Sequence, residues 1–504
     1  MANQPEHGAL SDPEQGRQQG SPNMQSSSPT EVGSVTGSRQ EEKPQEPVSW
    51  EKDPQNPINW PAWRKTHLVF MVSSFGFVAS APTSIISPAA REFQKDFGVS
   101  RSVSFLPLSL YVWALGFGPV LGGPLSESLG RRPVYIGTII LGSLFTLGVG
   151  FTSNFGALCF LRFAAGFCWS PALAIGSGSI AGTFLAKTRG PIMALYILMP
   201  FLGPAFGPIL GSYAVSRQSW RWTQWILLFF AVFTLILVLT GSETYHSTIK
   251  RRLAKQRGVK SDPPPPFLSR IALFLRVGLI RPVHMLFTEP IMGFMYLYVA
   301  VNFGILFSFF AAVPYTFVGI YHFSVEQTGL VFLSVAIGCG LGYLTLVVCD
   351  FTLYRPQAPN FPPQRIPPEY RLYPALISSV GLPLGLFWYA WTAKASISWA
   401  SPAAAIIPFS WGNLCIFVSA SQYLSDTYHP SIVASNASAN ALARYTFAGA
   451  FPLFIIKMFE SLGLDWALSL FAFVTVALVA VPWVFFKFGP RIRVLSSYKT
   501  IQYE

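Results

Sequence analysis

Glu127, Arg131 and Arg132 share the stretch GPLSESLGRRP (Gly123–Pro133), which separates two long apolar runs. One carboxylate and two guanidinium groups so close together suit ion pairing rather than bond-making. The acid can sit at the positive N-terminus of another helix, and the arginines can pair with acids on neighbouring helices. Gly123 and Gly130 allow a tight turn or a close approach. The stretch then reads as a latch, although a turn with ordinary loop charge fits the same residues. Arg162, in CFLRFAAGFCWSP, lies early in another apolar run. An ionised group there is costly unless it faces a cavity or a partner, and snorkelling to the interface is the alternative. In PFLGPAFGPILGSY, Gly203, Gly207 and Gly211 recur every four residues, and Pro200, Pro204 and Pro208 share that spacing. Glycines on one helical face admit a second helix closely, while prolines remove donors and bend the helix.

Further polar side chains fall inside apolar runs: Asn302, Asn413, Gln422, Asn436, Asn440 and Arg444. Buried amides commonly join helices to one another. Aromatic residues such as Phe75, Phe303 and Phe307 would suit a cavity for apolar or amphipathic ligands, and a lipid-facing belt explains many of the same positions. No nucleophile elbow, phosphate-binding loop or metal-type spacing occurs, so neither an enzyme nor ATP-driven transport is expected, and no cofactor or metal is implied. The five cysteines all sit in apolar runs without paired spacing and read as packing residues.

Composition says what must position these residues. Of 504 residues, 51% are hydrophobic and only 11% charged, against about a quarter charged in soluble domains. A spanning helix needs about 20 mostly apolar residues. Twelve stretches qualify, at about 67–90, 104–122, 133–152, 157–181, 191–214, 222–241, 291–317, 327–349, 372–392, 401–424, 433–456 and 464–487. The fold expected is all-α and polytopic, with twelve transmembrane helices in two six-helix halves. Residues 1–60 form a disordered tail and lead-in, 61–241 the first half, 242–290 a linker, 291–488 the second half and 489–504 a tail. The linker holds the basic run KRRLAKQRGVK and four prolines, Pro263 to Pro266, which suit a membrane-surface piece followed by an extended spacer. With the N-terminus in the cytosol, about 23 of the 35 Lys and Arg lie in cytosolic loops and tails and about 7 outside. The net charge of +13 therefore points to topology and anionic lipid, not to nucleic acid.

Together these stretches resemble the major facilitator superfamily, and within it the twelve-span drug:proton antiporters of fungi. GPLSESLGRRPV is similar to the superfamily's motif between the second and third helices. RFAAGFCWSPALAIGSGSIAG resembles the fourth-helix motif that opens with arginine. LGPAFGPILGSY resembles the fifth-helix antiporter motif. DPQNPINWPAWRK, SETYHSTIKRRLAKQR, RPVHMLFTEPI and YLSDTYHPSIVASNASANALARYTFAGAFPLF are similar to further segments, in order, over roughly residues 50–495.

The resemblance implies alternating access by rocking of the two halves and proton-driven export. It implies that Gly123, Glu127, Gly130, Arg131 and Arg132 gate the cytosolic side and that Arg162 serves proton coupling. It also implies that Gly203, Pro204, Gly207, Pro208 and Gly211 hold the antiporter geometry. The chain departs from the branch at Gly182, where an acid usually partners the arginine of the opening motif.

The expected activity is export of small amphipathic organic compounds across the plasma membrane, either xenobiotics such as azoles or an endogenous secondary metabolite. The substrate cavity would be lined by Phe75, Asn302, Phe303, Asn413, Gln422, Asn440 and Arg444. The partners are the small-molecule substrate, protons and the lipid bilayer, with the protein a monomer. Proton-coupled uptake of a nutrient and a non-transporting receptor are the alternatives, the first disfavoured by the fifth-helix motif.

Overall fold

The computed structural model describes residues 50–256, 276–362, 366–498 and 500, apart from a few side chains within helices. Among them no strand forms. Twelve spans are long and apolar enough to cross a membrane. They are α1 (Ala62–Phe97), α2 (Val103–Val120), α3 (Arg131–Phe151), α4 (Phe155–Ala181), α5 (Thr188–Arg217), α6 (Trp222–Thr240), α7 (Pro290–Gly319), α8 (Val325–Asn360), α9 (Pro368–Thr392), α10 (Ala400–Thr427), α11 (Ser435–Leu462) and α12 (Leu464–Val494). In a bilayer only helices or closed barrels satisfy their backbone internally, so a chain of this composition folds as helices. The protein is a multi-pass membrane protein.

α1–α6 and α7–α12 make the two halves, which meet along α2 with α11 and α5 with α8. The outward surfaces are apolar, with Phe151, Phe160, Phe229, Leu344 and Phe473 exposed. α7 is the most enclosed span, with 94% of its apolar window buried, so it is apolar all round because it faces protein all round. α1, α7 and the segment between the halves mark one end of the bundle, here the linker face; the opposite end is the far face.

α1 is longer than the apolar run suggests because it is not one helix. An α-helix covers Ala62–Ser80, tight turns occupy Ala81–Thr83 and Ser87–Ala89, and helix Ala90–Phe97 follows. Pro82 and Pro88 withhold backbone donors where the helix breaks. After α6 the basic run forms helix His246–Gln256, with Ile249 buried and Lys250 placed 4.9 Å over the Trp50 ring. Residues 263–266, the expected proline spacer, lie outside the described residues, as do residues 1–49 of the expected tail.

Candidate functional site

Three clusters gather most of the candidate residues. The first lies on the linker face. Gly130 has φ 94°, and a Cβ there would come within 2.7 Å of a Glu243 carboxylate oxygen. Only glycine both takes that backbone angle and leaves that room. The turn starts α3, and the Glu243 carboxylate caps it, accepting from the backbone N–H of Arg131 and Arg132 at 3.0 Å each. It accepts also from Thr244 and Tyr245 at 2.9 and 2.8 Å. A buried carboxylate on four amides at a helix N-terminus is well placed electrostatically.

The Arg131 guanidinium reaches the Thr244 carbonyl at 3.3 Å and lies 5.4 Å from the Tyr245 ring centre. Arg132 donates to the Leu239 carbonyl at 2.7 Å. Gly182, the departure noted in the sequence, sits beside Arg131: a Cβ there would be 3.2 Å from its Nη1. The His246 ring shares a hydrogen bond with the Gly182 carbonyl at 2.8 Å. The acid of this cluster thus comes from beyond α6, not from α4. One sequence signal marks Glu243: it is the sole Asp or Glu between residues 128 and 261. Gly123 has open space around it, and the Glu127 side chain lies outside the described residues.

The second half carries a related cluster with other charges. Asp350, where α8 ends its α-helical part, accepts from Arg355 at 2.8 Å and lies 3.9 Å from Arg371. Arg371, at the start of α9, donates to Asp426 on α10 at 2.9 Å and stacks over Tyr354 at 3.7 Å. Glu369 pairs with Arg493 in the last turn of α12. Here acids occupy the ends of α8 and α10, as the resemblance leads one to expect of the first half. Asp350 also touches that first half, since a Cβ on Gly190 would be 2.9 Å from its carboxylate. A small open cavity lies at this contact, lined by Gly190, Cys349, Asp350, Arg371 and Gln422 among others. Separately, Glu289 at the start of α7 accepts from Ser496 at 2.7 Å and from Tyr428 at 3.2 Å. Burial and then this carboxylate push the Tyr428 phenol up.

The second cluster surrounds the break in α1. Arg162 is 1% exposed. It donates to the Pro82 carbonyl, and its Nε to the Pro107 carbonyl at 3.4 Å, with its guanidinium 4.6 Å from the Tyr111 ring centre. Tyr111 in turn donates to Ala79 at 2.8 Å. The glycine face of α5 lies against the same break. A Cβ on Gly203 would meet Ser80 Oγ at 2.0 Å, on Gly207 Ser84 Oγ at 2.1 Å, and on Gly211 the Ile85 carbonyl at 2.0 Å. Pro204 and Pro208 are buried on the same helix. Arg162 and the α5 glycines thus belong to one structure: a broken helix, cradled on one side and capped on the other.

The third cluster lies at mid-depth between the halves. The Arg444 guanidinium stands 4.4 Å from the ring centres of Phe417 and Tyr445 and 4.7 Å from that of Phe303. Phe201 of α5 closes over this group, 5.6 Å from Phe303 and 5.4 Å from Phe417. Asn413 donates to the Asn302 carbonyl, and Asn302 to Tyr298, both at 2.8 Å. Asn440 donates to Ser421 at 3.2 Å. The Asn302 and Asn440 side-chain oxygens and the Arg444 Nε are enclosed without hydrogen-bond partners. Phe75 is elsewhere, 5.6 Å from Tyr135 in the first half's core, and Gln422 lines the linker-face cavity. Asn436 accepts from Tyr296. Phe201, Phe417 and Tyr445 carried no polar signal to distinguish them in the sequence.

Both faces are closed between the halves. On the far face Arg217 and Ser216 hold Glu326 at 3.2 and 2.7 Å, and Arg101 lies 3.7 Å from Glu460. A small vestibule opens there, with Arg91, Arg101, Pro208 and Phe332 in its lining. Nearer mid-depth, Trp113 of α2 donates to Thr446 of α11 at 3.1 Å.

The sequence profile described as Major Facilitator Superfamily matches residues 72–451. The chain is 34% identical to the protein named polyamine transporter 4 of Saccharomyces cerevisiae, over 85% of this chain and 69% of that one. It is 36% identical to the citrinin biosynthesis cluster MFS transporter mrr1 of Monascus ruber, over 90% and 92%. It is 34% identical to the efflux pump FUB11 of Gibberella moniliformis, over 87% and 75%. Among solved structures, the proton:xylose symporter XylE with a bound bromodeoxyglucose matches with TM-score 0.59 and 15% identity, over 85% of this chain and 97% of that one. That likeness speaks for the fold alone.

Proposed function

The chain belongs to the major facilitator superfamily of transporters, and from that premise we propose that it exports small amphipathic organic compounds, driven by protons moving the other way. The observation that carries the reading is the mid-depth group of Phe201, Phe303, Phe417, Tyr445 and Arg444, to which both halves contribute. Aromatic rings of both halves that meet at mid-depth would line the path of an amphipathic cargo once the halves part. The relatives named as efflux pumps and biosynthesis-cluster transporters support outward movement.

In this reading the linker face and both termini are cytosolic, in keeping with the excess of Lys and Arg there, and the membrane is the plasma membrane. The protein acts as a monomer. The Gly130–Arg132 turn with Glu243, and Asp350 with Arg371, hold the cytosolic side shut between cycles. Arg162 serves coupling by position: its bonds join α4 to the broken part of α1, so a change at one is felt at the other. The Gly/Pro face of α5 keeps that break closed to leak.

Accumulation in cells lacking their own pumps tests the reading, with and without this chain, for azoles, polyketides and polyamines, each with a protonophore control. The expected result is lower accumulation that the protonophore abolishes. Faster uptake, or no movement of any compound with the protein present at the membrane, would sink it.

A further inference from the structure

Arg444 is a cation in the middle of the bundle with nothing of opposite charge beside it among the described residues. Phe201, Phe303, Phe417 and Arg444 each lie within about five residues of the middle of their spans, so the cluster sits at mid-bilayer depth. The sequence places no Asp or Glu in residues 133–242, 290–325, 327–349, 370–425 or 427–459. No carboxylate therefore lies on the central parts of α5, α7, α10 or α11, which surround the guanidinium. Ring faces attract a cation, but they replace only part of its lost hydration. The enclosed Nε has no acceptor. Arg162, the fully buried arginine of the first half, spends its donors on the Pro82 and Pro107 carbonyls, whereas Arg444 is half-buried. Arg444 is the one left facing the interface between the halves.

We infer that Arg444 and its three rings form the head-group site for an organic anion with a flat aromatic body: the guanidinium takes the acidic group, and Phe303, Phe417 and Tyr445 take the rings. This rests on the exporter reading and names its cargo class. A guanidinium offers two parallel donors that match a carboxylate or sulfonate, and low-dielectric surroundings strengthen that pair. Phe201 is the lid. It packs edge-on to Phe303 and tilted against Phe417 of the other half, so parting the halves on α5 withdraws it and uncovers the guanidinium. The far-face vestibule agrees in sign. Its lining includes Arg91 and Arg101 and no acid, Arg101 being the one paired with Glu460. A polyamine would meet cations along the same route with no counter-charge.

The test uses the full chain in detergent micelles and a matched pair of probes, 2-naphthalenesulfonate and the neutral 2-naphthalenesulfonamide, with spermidine as the cationic comparison. Thermal unfolding reads binding. The sulfonate raises the midpoint at concentrations at least about tenfold lower than the sulfonamide, and spermidine does not raise it. Arg444→Gln removes the preference between the pair, and Arg444→Lys keeps part of it. If Arg444→Gln does not fold, the wild-type pair still decides. Equal response to both probes, no response to the sulfonate, or response to spermidine alone overturns the inference. Flux in proteoliposomes separates it from the exporter reading. Sulfonate binding without gradient-driven outward flux would sink the export mechanism and leave the site standing. Gradient-driven export of the sulfonamide or spermidine, but not the sulfonate, would sink the site and leave export standing.

Discussion

Arg162 donates a hydrogen bond to the carbonyl of Pro82, at the point where the first span stops being an α-helix. The arginine belongs to α4 and the carbonyl to α1, so one side chain closes a backbone gap in another helix. A carbonyl buried without a donor costs about 1–3 kcal/mol, and water is not at hand to supply one.

Replacing Arg162 with Ala should therefore leave two buried carbonyls, Pro82 and Pro107, without these donors. We expect lower thermal stability in detergent, by about 1–3 kcal/mol, and loss of transport in the cell assay. Arg162→Lys keeps one point charge but not the fork, and should recover stability more than flux. Normal flux in the Ala variant would remove Arg162 from the mechanism.

The α5 glycines should differ sharply from glycines that meet nothing. Even a methyl group at Gly211 would lie 2.0 Å from the Ile85 backbone carbonyl, which cannot swing aside, whereas Gly123 has nothing within 4 Å. Gly211→Ala should push α1 away, with an overpacking cost of about 1–3 kcal/mol or more, and lower the yield of folded, active protein. Gly123→Ala should fold as wild type does. The pair can be compared by size-exclusion profile and unfolding midpoint; equal behaviour would mean that the α5 face does not bear on α1.

These two cases show what could be read in the sequence. The spans, their division six and six, and the four-residue spacing at Gly203, Gly207 and Gly211 follow from hydropathy and periodicity, which are local. That Arg162 and those glycines serve the same break in α1 is a tertiary fact, invisible until α1, α4 and α5 are side by side. Phe201 and Phe417 were hidden for another reason. In a chain with 44 phenylalanines, nothing in spacing separates a ring facing an arginine from a ring facing lipid. Glu243 was missed although isolated, because a carboxylate after a span reads as ordinary loop charge unless the turn it caps is known.

Glu243 and Gly182 give a prediction about the two sides of Arg131. Glu243→Gln keeps the shape but leaves one acceptor oxygen where four amides now meet a carboxylate, so α3 should lose a cap worth about 1–3 kcal/mol. Gly182→Asp would then place an acid beside Arg131, whose flexible Nη1 is the nearest neighbour of a Cβ there at 3.2 Å. The Asp variant should fold. Combined with Glu243→Gln, it should recover part of the lost stability, measured as a double-mutant cycle. Strict additivity of the two changes would show that Arg131 does not couple them.

Arg371 lies between Asp350 and Asp426 on the linker face, with Cys349 in the lining of the adjoining cavity. Taking away the cation leaves two carboxylates facing each other across a partly buried gap, and like charges there repel. Arg371→Leu should loosen the contact that Asp350 makes beside Gly190 of the first half, and so open the linker face. Cys349 is 4% exposed in the closed arrangement. In a chain whose other four cysteines are replaced by Ala or Ser, Arg371→Leu should speed maleimide labelling of Cys349, while Arg355→Leu, at a more exposed arginine, should change it little. Turnover should slow in the Arg371 variant because closure on that side is part of each cycle. If labelling stays slow while transport fails, Arg371 acts on something other than closure, and the latch assigned to this face is not what holds it.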